Sequence, residues 1–289
     1  MSSSVAPPSF MPYYSYYVNP VLVLALGMIC SIIPFIILII CLYRMYQFVK
    51  PSLGDRKQNL IKAFFYTLIE EFVIHRNLSK CKPEWGRWIL HQMVLWGMVI
   101  LTGCTMFDAV AAHEDIVMCG LVNPYLKPLA IAFSLGELPP HVTAAAAAAA
   151  CARVMHALPD PVKILYNIGG VLLVAGCIGL IVRRFTNKVA RECVIAYDWY
   201  LLILLTFVGV SGFLAEILRM IAVSYWQAHM ITLAEYFFYP GLVIYCAHLI
   251  AVAILFLSIP FTKTAHVAYR FVALLWVRYR GIRTSELVI

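Results

Sequence analysis

Five long runs of apolar residues, separated by polar segments, dominate the pattern of this chain. The runs extend from Val21 to Met45, Trp88 to Ala112, Val162 to Ile181, Asp198 to Trp226 and Tyr239 to Phe261. A helix needs about 20 apolar residues to cross the hydrocarbon core of a bilayer, and each run is long enough. Strands of a membrane β-barrel would instead alternate apolar and polar positions over about ten residues. The pattern therefore predicts an all-α integral membrane bundle of five transmembrane helices.

The composition agrees with this class. Hydrophobic residues make up 63% of the chain and charged residues 12%, whereas soluble domains have about 25% charged residues. The first run is too long for the apolar part of a cleaved signal peptide, and no basic residue precedes it. We therefore expect a multi-pass protein of the cell membrane.

Lysine and arginine residues are unevenly divided between the connecting segments. Nine lie from Arg44, at the end of the first run, to Arg87, just before the second; four lie between the third and fourth runs, and five follow the last run. The opposite side has only Lys127, Arg153 and Lys163. Because cytoplasmic loops carry the excess of basic residues, the N-terminus is predicted outside and the C-terminus in the cytoplasm. The net charge of +8 reflects this topology and does not indicate a nucleic-acid partner.

The polar segments define further regions around a membrane domain at residues 21–272. Residues 1–20 are predicted to form an exterior tail whose tyrosines suit the aromatic belt of a membrane interface. The cytoplasmic segment 46–87 has apolar residues at helical spacing and predicts an amphipathic helix, lying on the membrane or under a partner protein. Residues 113–161 form a long exterior connection, and residues 273–289 form a cytoplasmic tail.

Two histidines stand out in and after the last apolar run. His248 and His266 are eighteen residues apart, which is five turns of helix. The apolar segment that carries both predicts one helix, on which they share a face and lie about 27 Å apart, at ~1.5 Å per residue. Neutral imidazole is a frequent ligand of haem iron. We therefore expect two haem-binding sites, an inner and an outer one, at two depths in the membrane.

For the inner haem site, the second run offers a partner for His266. His91 and His266 both lie near the cytoplasmic ends of antiparallel spans, so they are predicted at similar depth and could clamp one haem. In the alternative, His266 reaches the membrane interface and His91 bonds to a neighbouring helix. We favour the haem, because the pair is matched in depth.

For the outer haem site, the second run offers no such partner for His248. Leu101 stands ten residues after His91, where a stacked second ligand would be expected. His156, just before the third run, is the preferred partner for His248, with His113 at the end of the second run as the alternative. The remaining possibility is that His248 binds no haem.

Other charged residues near the spans are candidates for supporting roles. Glu216 and Arg219 lie in the outer half of the fourth run, where polar residues are costly and often functional. They could form a structural ion pair, or the Glu216 carboxylate beside Arg219 could accept protons from a quinol. Lys263 and Arg270 flank His266 and could pair with haem propionates or simply obey the positive-inside rule. A transporter built on Glu216 and Arg219 is disfavoured, because the sequence has no inverted repeat.

Two segments resemble a known superfamily. The last-span sequence HLIAVAILFLSIPFTKTAHVAYR resembles the respiratory nitrate reductase gamma-subunit superfamily. DPVKILYNIGGVLLVAGCIGLIVRR, followed by AYDWYLLILLTFVGVSGFLAEILRM, is similar to the membrane cytochrome b subunit of heterodisulfide reductase. The resemblance covers residues 85–100 and 160–272.

The resemblance implies a five-helix cytochrome with haem b. Such a subunit exchanges electrons between a membrane quinone or phenazine and a cytoplasmic iron–sulfur subunit of heterodisulfide reductase type. By position, His91 and His266 match the inner haem pair, His248 matches the outer haem, and Leu101 departs from the pattern. Nine scattered cysteines without a C-x-x-C motif place any iron–sulfur cluster on the partner. The chain is thus expected to act as the quinone-reactive subunit of a respiratory oxidoreductase, and the rival function is a haem-free anchor for a soluble enzyme.

Overall fold

A computed structural model describes residue 10 and residues 12–49, 59–73, 85–111, 146, 161–192 and 196–281. Its helices are α1 (Tyr14–Tyr17), α2 (Pro20–Val49), α3 (Leu60–Thr67), α4 (Trp85–Ala111), α5 (Pro161–Thr186), α6 (Lys188–Glu192), α7 (Ala196–Gln227), α8 (Ile231–Ser258) and α9 (Ala265–Tyr279). Among these, α2, α4, α5, α7 and α8 are long and apolar enough to cross a membrane. The prediction of an all-α, multi-pass membrane protein with five spans is confirmed.

The long helices pack side by side in a row. Helix α4 packs on α5, α5 on α7, α7 on α8, and α8 on α2. Glycines bring α4 and α5 into close contact: a Cβ atom at Gly97 would lie 2.7 Å from the Leu173 backbone nitrogen, and one at Gly176 would lie 3.0 Å from the Leu90 carbonyl oxygen. Small residues allow such close approach of membrane helices. The α4–α5 pair forms one wall of the bundle.

Replacing Gly97 with alanine should destabilise this wall. The new methyl group would meet backbone atoms that cannot rotate away, and overpacking of this kind costs about 1–3 kcal/mol. Gly103 lies on the same helix with open space around the Cβ position, so Gly103→Ala is the matched control. Denaturant titrations of both variants in detergent check this expectation. Equal stability of the two variants would contradict the packing described here.

The last predicted span is not one helix through both histidines. Helix α8 begins at Ile231, ends at Ser258 and continues only as a 3₁₀ turn, Ile259–Phe261. Pro260 has no N–H to donate and disfavours helical geometry in the preceding residue, and Thr262 is extended with φ −115° and ψ 175°. His266 therefore lies on the separate helix α9, and the expectation of a shared helix face with His248 is wrong. Helix α9 also continues beyond residue 272, into the segment predicted as a tail.

The end of the predicted N-terminal tail is buried in the bundle. Phe10 and Tyr14 are 3% and 2% exposed, and together with Tyr17 they form what we call the aromatic plug. Phe10 packs edge-on against Phe238, with ring centroids 5.3 Å apart, and Tyr14 stacks on Tyr245 at 4.9 Å. The expectation that these tyrosines sit in an interfacial belt is wrong for Tyr14, because the ring finds aromatic partners inside the protein.

Helix α3 confirms that the segment after the first span contains a helix, but its packing was not foreseen. Phe64 of α3 meets Phe271 of α9 edge-on, with ring centroids 5.6 Å apart. Glu70, in the π-helical turn after α3, accepts a 2.6 Å hydrogen bond from Arg278 of α9. One face of α3 is thus covered by the last helix of the same chain.

Candidate functional site

A cavity of ≈ 410 Å³ lies between helices α4, α5, α7 and α8. This volume is within the range of about 300–1,000 Å³ that small-molecule and cofactor sites occupy. Its apolar walls include Leu173, Val208 and Leu255, whereas Lys163, Glu216 and Arg219 lie toward the end closed by Tyr14. The cavity thus combines an apolar body with one charged end, which we call the Tyr14 end.

His248 lines this cavity in a fixed orientation. Its Nδ1 lies 3.0 Å from the Val208 carbonyl oxygen and 3.1 Å from the Ser211 hydroxyl. A carbonyl oxygen can only accept a hydrogen bond, so Nδ1 donates its proton to Val208. In neutral imidazole this leaves Nε2 with a lone pair. Metal-ligating histidines are held in the same way, by a hydrogen bond from the other ring nitrogen.

Glycines allow close packing next to this imidazole. A Cβ atom at Gly212 would lie 3.1 Å from Cε1 of His248, and one at Gly170 would lie 2.7 Å from the Phe213 ring. Both glycines, together with Gly209, line the cavity. Helices α5 and α7 thus present glycine backbone along the cavity wall.

Helix α4 forms the facing wall of the cavity. Met98, Leu101, Thr102 and Thr105 occupy positions i, i+3, i+4 and i+7 of one helix face and all line the cavity. Leu101 packs beside Gly169, where a Cβ atom would lie 3.2 Å from Cγ of Leu101. The position noted in the sequence as lacking a second ligand therefore does face the His248 cavity, with an apolar side chain.

The contacts at the charged end differ from the ion pair between Glu216 and Arg219 that the sequence suggested. Glu216 forms a salt bridge with Lys163 of α5, at 3.0 Å between Oε1 and Nζ. The packing of α5 against α7 brings the Lys163 ammonium closer to this carboxylate than Arg219, which lies one turn further along α7. Among the described residues, Arg219 has no salt-bridge partner, although it is only 6% exposed. Its guanidinium lines the cavity.

Tyr14 closes this end of the cavity. Its hydroxyl donates a 2.8 Å hydrogen bond to the Ala215 carbonyl, and its hydroxyl oxygen fits beside Gly241, where a side chain would collide with it. Burial raises the pKa of the Tyr14 hydroxyl above its ordinary value, so this group stays protonated and neutral. Tyr14 therefore contributes a lid and a donor, but no negative charge.

The other predicted ligands lie apart from this cavity or outside the described residues. His91 is half-buried on α4 and His266 is exposed at the start of α9, and neither lines the cavity. Nδ1 of His266 contacts the Lys263 carbonyl oxygen. His156 and His113, the candidates for the second outer ligand, lie outside the described residues.

The predicted propionate partners sit near His266. The Lys263 ammonium pairs with Asp198 of α7, at 2.7 Å, which ties the turn after α8 to the start of α7. Arg270 lies exposed on α9. Lys263 is thus engaged with a carboxylate of the protein itself, a contact that the sequence did not reveal.

Glu216 and Arg219 were identified from the sequence, but other residues that line the cavity were missed, although the spacing of two of them was a usable signal. Gly209, Gly212, Glu216 and Arg219 recur at spacings of three and four residues, which places them on one face of α7. This stripe of glycines and charges marks the cavity wall. Lys163 and Tyr14 could not be found in this way, because they reach the cavity from other helices.

Comparison with protein families gives a match over the second half of the chain. Residues 129–285 match the family described as nitrate reductase gamma subunit. The matched region includes Lys163, Glu216, Arg219, His248 and His266, and it begins after His91. Neither the curated proteins nor the solved structures gave a match.

Proposed function

The chain belongs to the nitrate reductase gamma subunit family, and from that premise we propose that it relays electrons through haem b between a membrane quinone and a cytoplasmic partner. Members of this family are membrane haem b subunits that transfer electrons within oxidoreductase complexes. The finer assignment is a quinol or phenazine as the membrane substrate. The partner would be an iron–sulfur subunit of heterodisulfide reductase type.

The orientation of His248 is the observation that carries this proposal. Nδ1 is committed to the Val208 carbonyl, Nε2 is left for a metal, and Gly212 lies against the ring. These features fit a haem whose iron is bound by His248. Haem b, when bound, supplies one-electron oxidation and reduction.

The surrounding residues have separate tasks in this proposal. The Val208 carbonyl fixes the imidazole and raises its basicity. The apolar walls at Leu173 and Leu255 exclude water, which tunes the reduction potential. Met98 and Leu101 bound the cavity on the α4 side. A second axial ligand for this haem is proposed from His156 or, alternatively, His113.

A second haem is proposed at the other end of the bundle, where His266 lies. His91 and His266 are its proposed axial ligands, and Lys263 and Arg270 its proposed propionate partners. The pairing of Lys263 with Asp198 holds this cation beside the start of α9. This haem would lie nearer the predicted cytoplasmic side, where the iron–sulfur partner docks.

The Tyr14 end is the proposed site of quinol oxidation and proton release. Quinol oxidation releases protons, and Glu216 is the only carboxylate among the described residues that line the cavity. We assign proton acceptance to Glu216, with Arg219 as the neighbouring cation at the same end of the cavity. The predicted topology places this end outside, so released protons would leave on that side.

Quinol-driven reduction of the bound haem tests this function. A short-chain naphthoquinol added to the purified full chain should reduce the b-type haem. Glu216→Gln should slow this reduction about a hundredfold, because positioned general bases contribute ~10²–10⁴. Glu192→Gln, on the exposed helix α6, is the matched control. Haem that dithionite reduces but no quinol reduces would contradict the quinone assignment and leave the haem assignment intact.

A further inference from the structure

Arg219 is a buried cation that forms no salt bridge with a carboxylate among the described residues. The side chain is 6% exposed, and it pairs with no carboxylate among the described residues. Burying a charge without a counter-charge costs several kcal/mol in real proteins. A ligand that carries a negative charge would offset this cost.

The neighbouring charges do not supply this partner. Glu216 lies one turn from Arg219, but its carboxylate is paired with Lys163 at 3.0 Å. Lys163, Glu216 and Arg219 together carry two positive charges and one negative charge, so the described residues give the Tyr14 end of the cavity an excess of one positive charge. Tyr14 covers this end as a neutral donor to Ala215, so the aromatic plug shields the excess charge from solvent and does not cancel it.

Arg219 is placed so that it could contact the same ligand as His248. Gly212 contacts the His248 ring, and Arg219 follows seven residues later on the same face of α7, about 10 Å along the axis at ~1.5 Å per residue. Both residues line one cavity. A ligand that contacts His248 with one part and Arg219 with another would span the length of this cavity.

We propose that Arg219 binds a carboxylate of the haem held by His248. A carboxylate removes the excess charge, and it matches the planar fork of a guanidinium with two parallel hydrogen bonds. A neutral quinone oxygen would accept a hydrogen bond but would leave the buried charge uncompensated. This inference rests on the proposed function and adds the group that fixes the cofactor's orientation.

A comparison of haem with its dimethyl ester tests the inference, because esterification removes both carboxylates and keeps the iron and the ring. The full chain, freed of haem in detergent, is titrated with each compound. Wild type should bind the ester about ten- to a hundredfold more weakly than haem, the range expected for a hydrogen bond to a charged group. Arg219→Gln should bind haem as weakly as wild type binds the ester, and should discriminate between the two compounds far less.

Two further variants make the result specific. Arg219→Lys should recover part of the discrimination, because an ammonium keeps the charge and loses the fork. Arg191→Gln removes a positive charge from the exposed helix α6 and should behave as wild type. Arg219→Gln should also lower the midpoint potential of the His248 haem, since the cation stabilises the reduced state.

The outcomes separate this inference from the function on which it rests. Wild-type protein that binds haem and its dimethyl ester equally well would overturn the inference and leave the haem function standing. The inference is also overturned if Arg219→Gln keeps full discrimination, or if it changes only the KM for naphthoquinol. Wild-type protein that binds neither compound would overturn both.

Discussion

Replacing His248 with asparagine is expected to remove one haem b from each chain. The imidazole Nε2 is the only nitrogen ligand that the described residues offer to the cavity from α8, since Nδ1 is committed to Val208. Asparagine keeps a polar side chain but cannot provide an imidazole. Pyridine haemochrome analysis of the purified protein should show a haem content lower by one, and quinol-driven reduction should cease.

His229→Asn is the matched control for this variant. His229 is exposed in the turn between α7 and α8, with φ of 59°, and asparagine tolerates this left-handed conformation. The control should retain the full haem content and the full rate of reduction. A His248→Asn protein that folds and keeps every haem would show that His248 is only a packed core histidine.

The second large effect is expected at the other haem. His266→Asn and His91→Asn should each remove one haem and leave the haem at His248 in place, because the two proposed sites are predicted at different depths. The remaining haem should still be reduced by naphthoquinol, while transfer of its electron to a cytoplasmic acceptor should be lost. Haem content and stopped-flow reduction of each variant measure these two effects.

The pair of variants also tests whether His91 and His266 share one iron. If they do, each single variant and the double variant should have the same haem content. A double variant that loses more haem than either single variant would separate the two histidines. Retention of all haem in His266→Asn would assign this residue to the surface, in keeping with its exposed position at the start of α9.

The number and approximate position of the membrane spans could be predicted from sequence. Five apolar runs correspond to the five long helices, because crossing a membrane requires a length and a composition that are both visible in the chain. The ends were less well predicted. Helix α8 begins at Ile231, where the predicted run begins at Tyr239, since polar residues near a membrane surface continue a helix without forming part of the apolar run.

The relation between His248 and His266 was predicted incorrectly for a local reason. Their spacing suits one long helix, but Pro260 interrupts the hydrogen-bond ladder and the chain extends at Thr262 before α9 begins. Proline was visible in the sequence, and its effect was underestimated because the apolar run continues through it. Prolines at 34 and 240 remain inside helices, so the outcome depends on the residues around each proline.

The candidate site was only partly predictable, because its contacts join distant helices. His248, Glu216 and Arg219 were identified from their cost within a membrane span, and the structure places all three on one cavity. The partner of Glu216 is Lys163 and the cover is Tyr14, and both depend on how α5 and the aromatic plug pack on α7 and α8. Spacing along a single helix carries no information on such contacts.

The haem assignment is tested most directly by a reduced-minus-oxidised spectrum of the purified full chain, recorded with a pyridine haemochrome determination. We predict a b-type α-band in wild type and a smaller band in His248→Asn. A folded wild-type chain that shows no such band, even after haem is supplied during its production, would contradict the assignment. That result would favour a haem-free anchor for a soluble oxidoreductase.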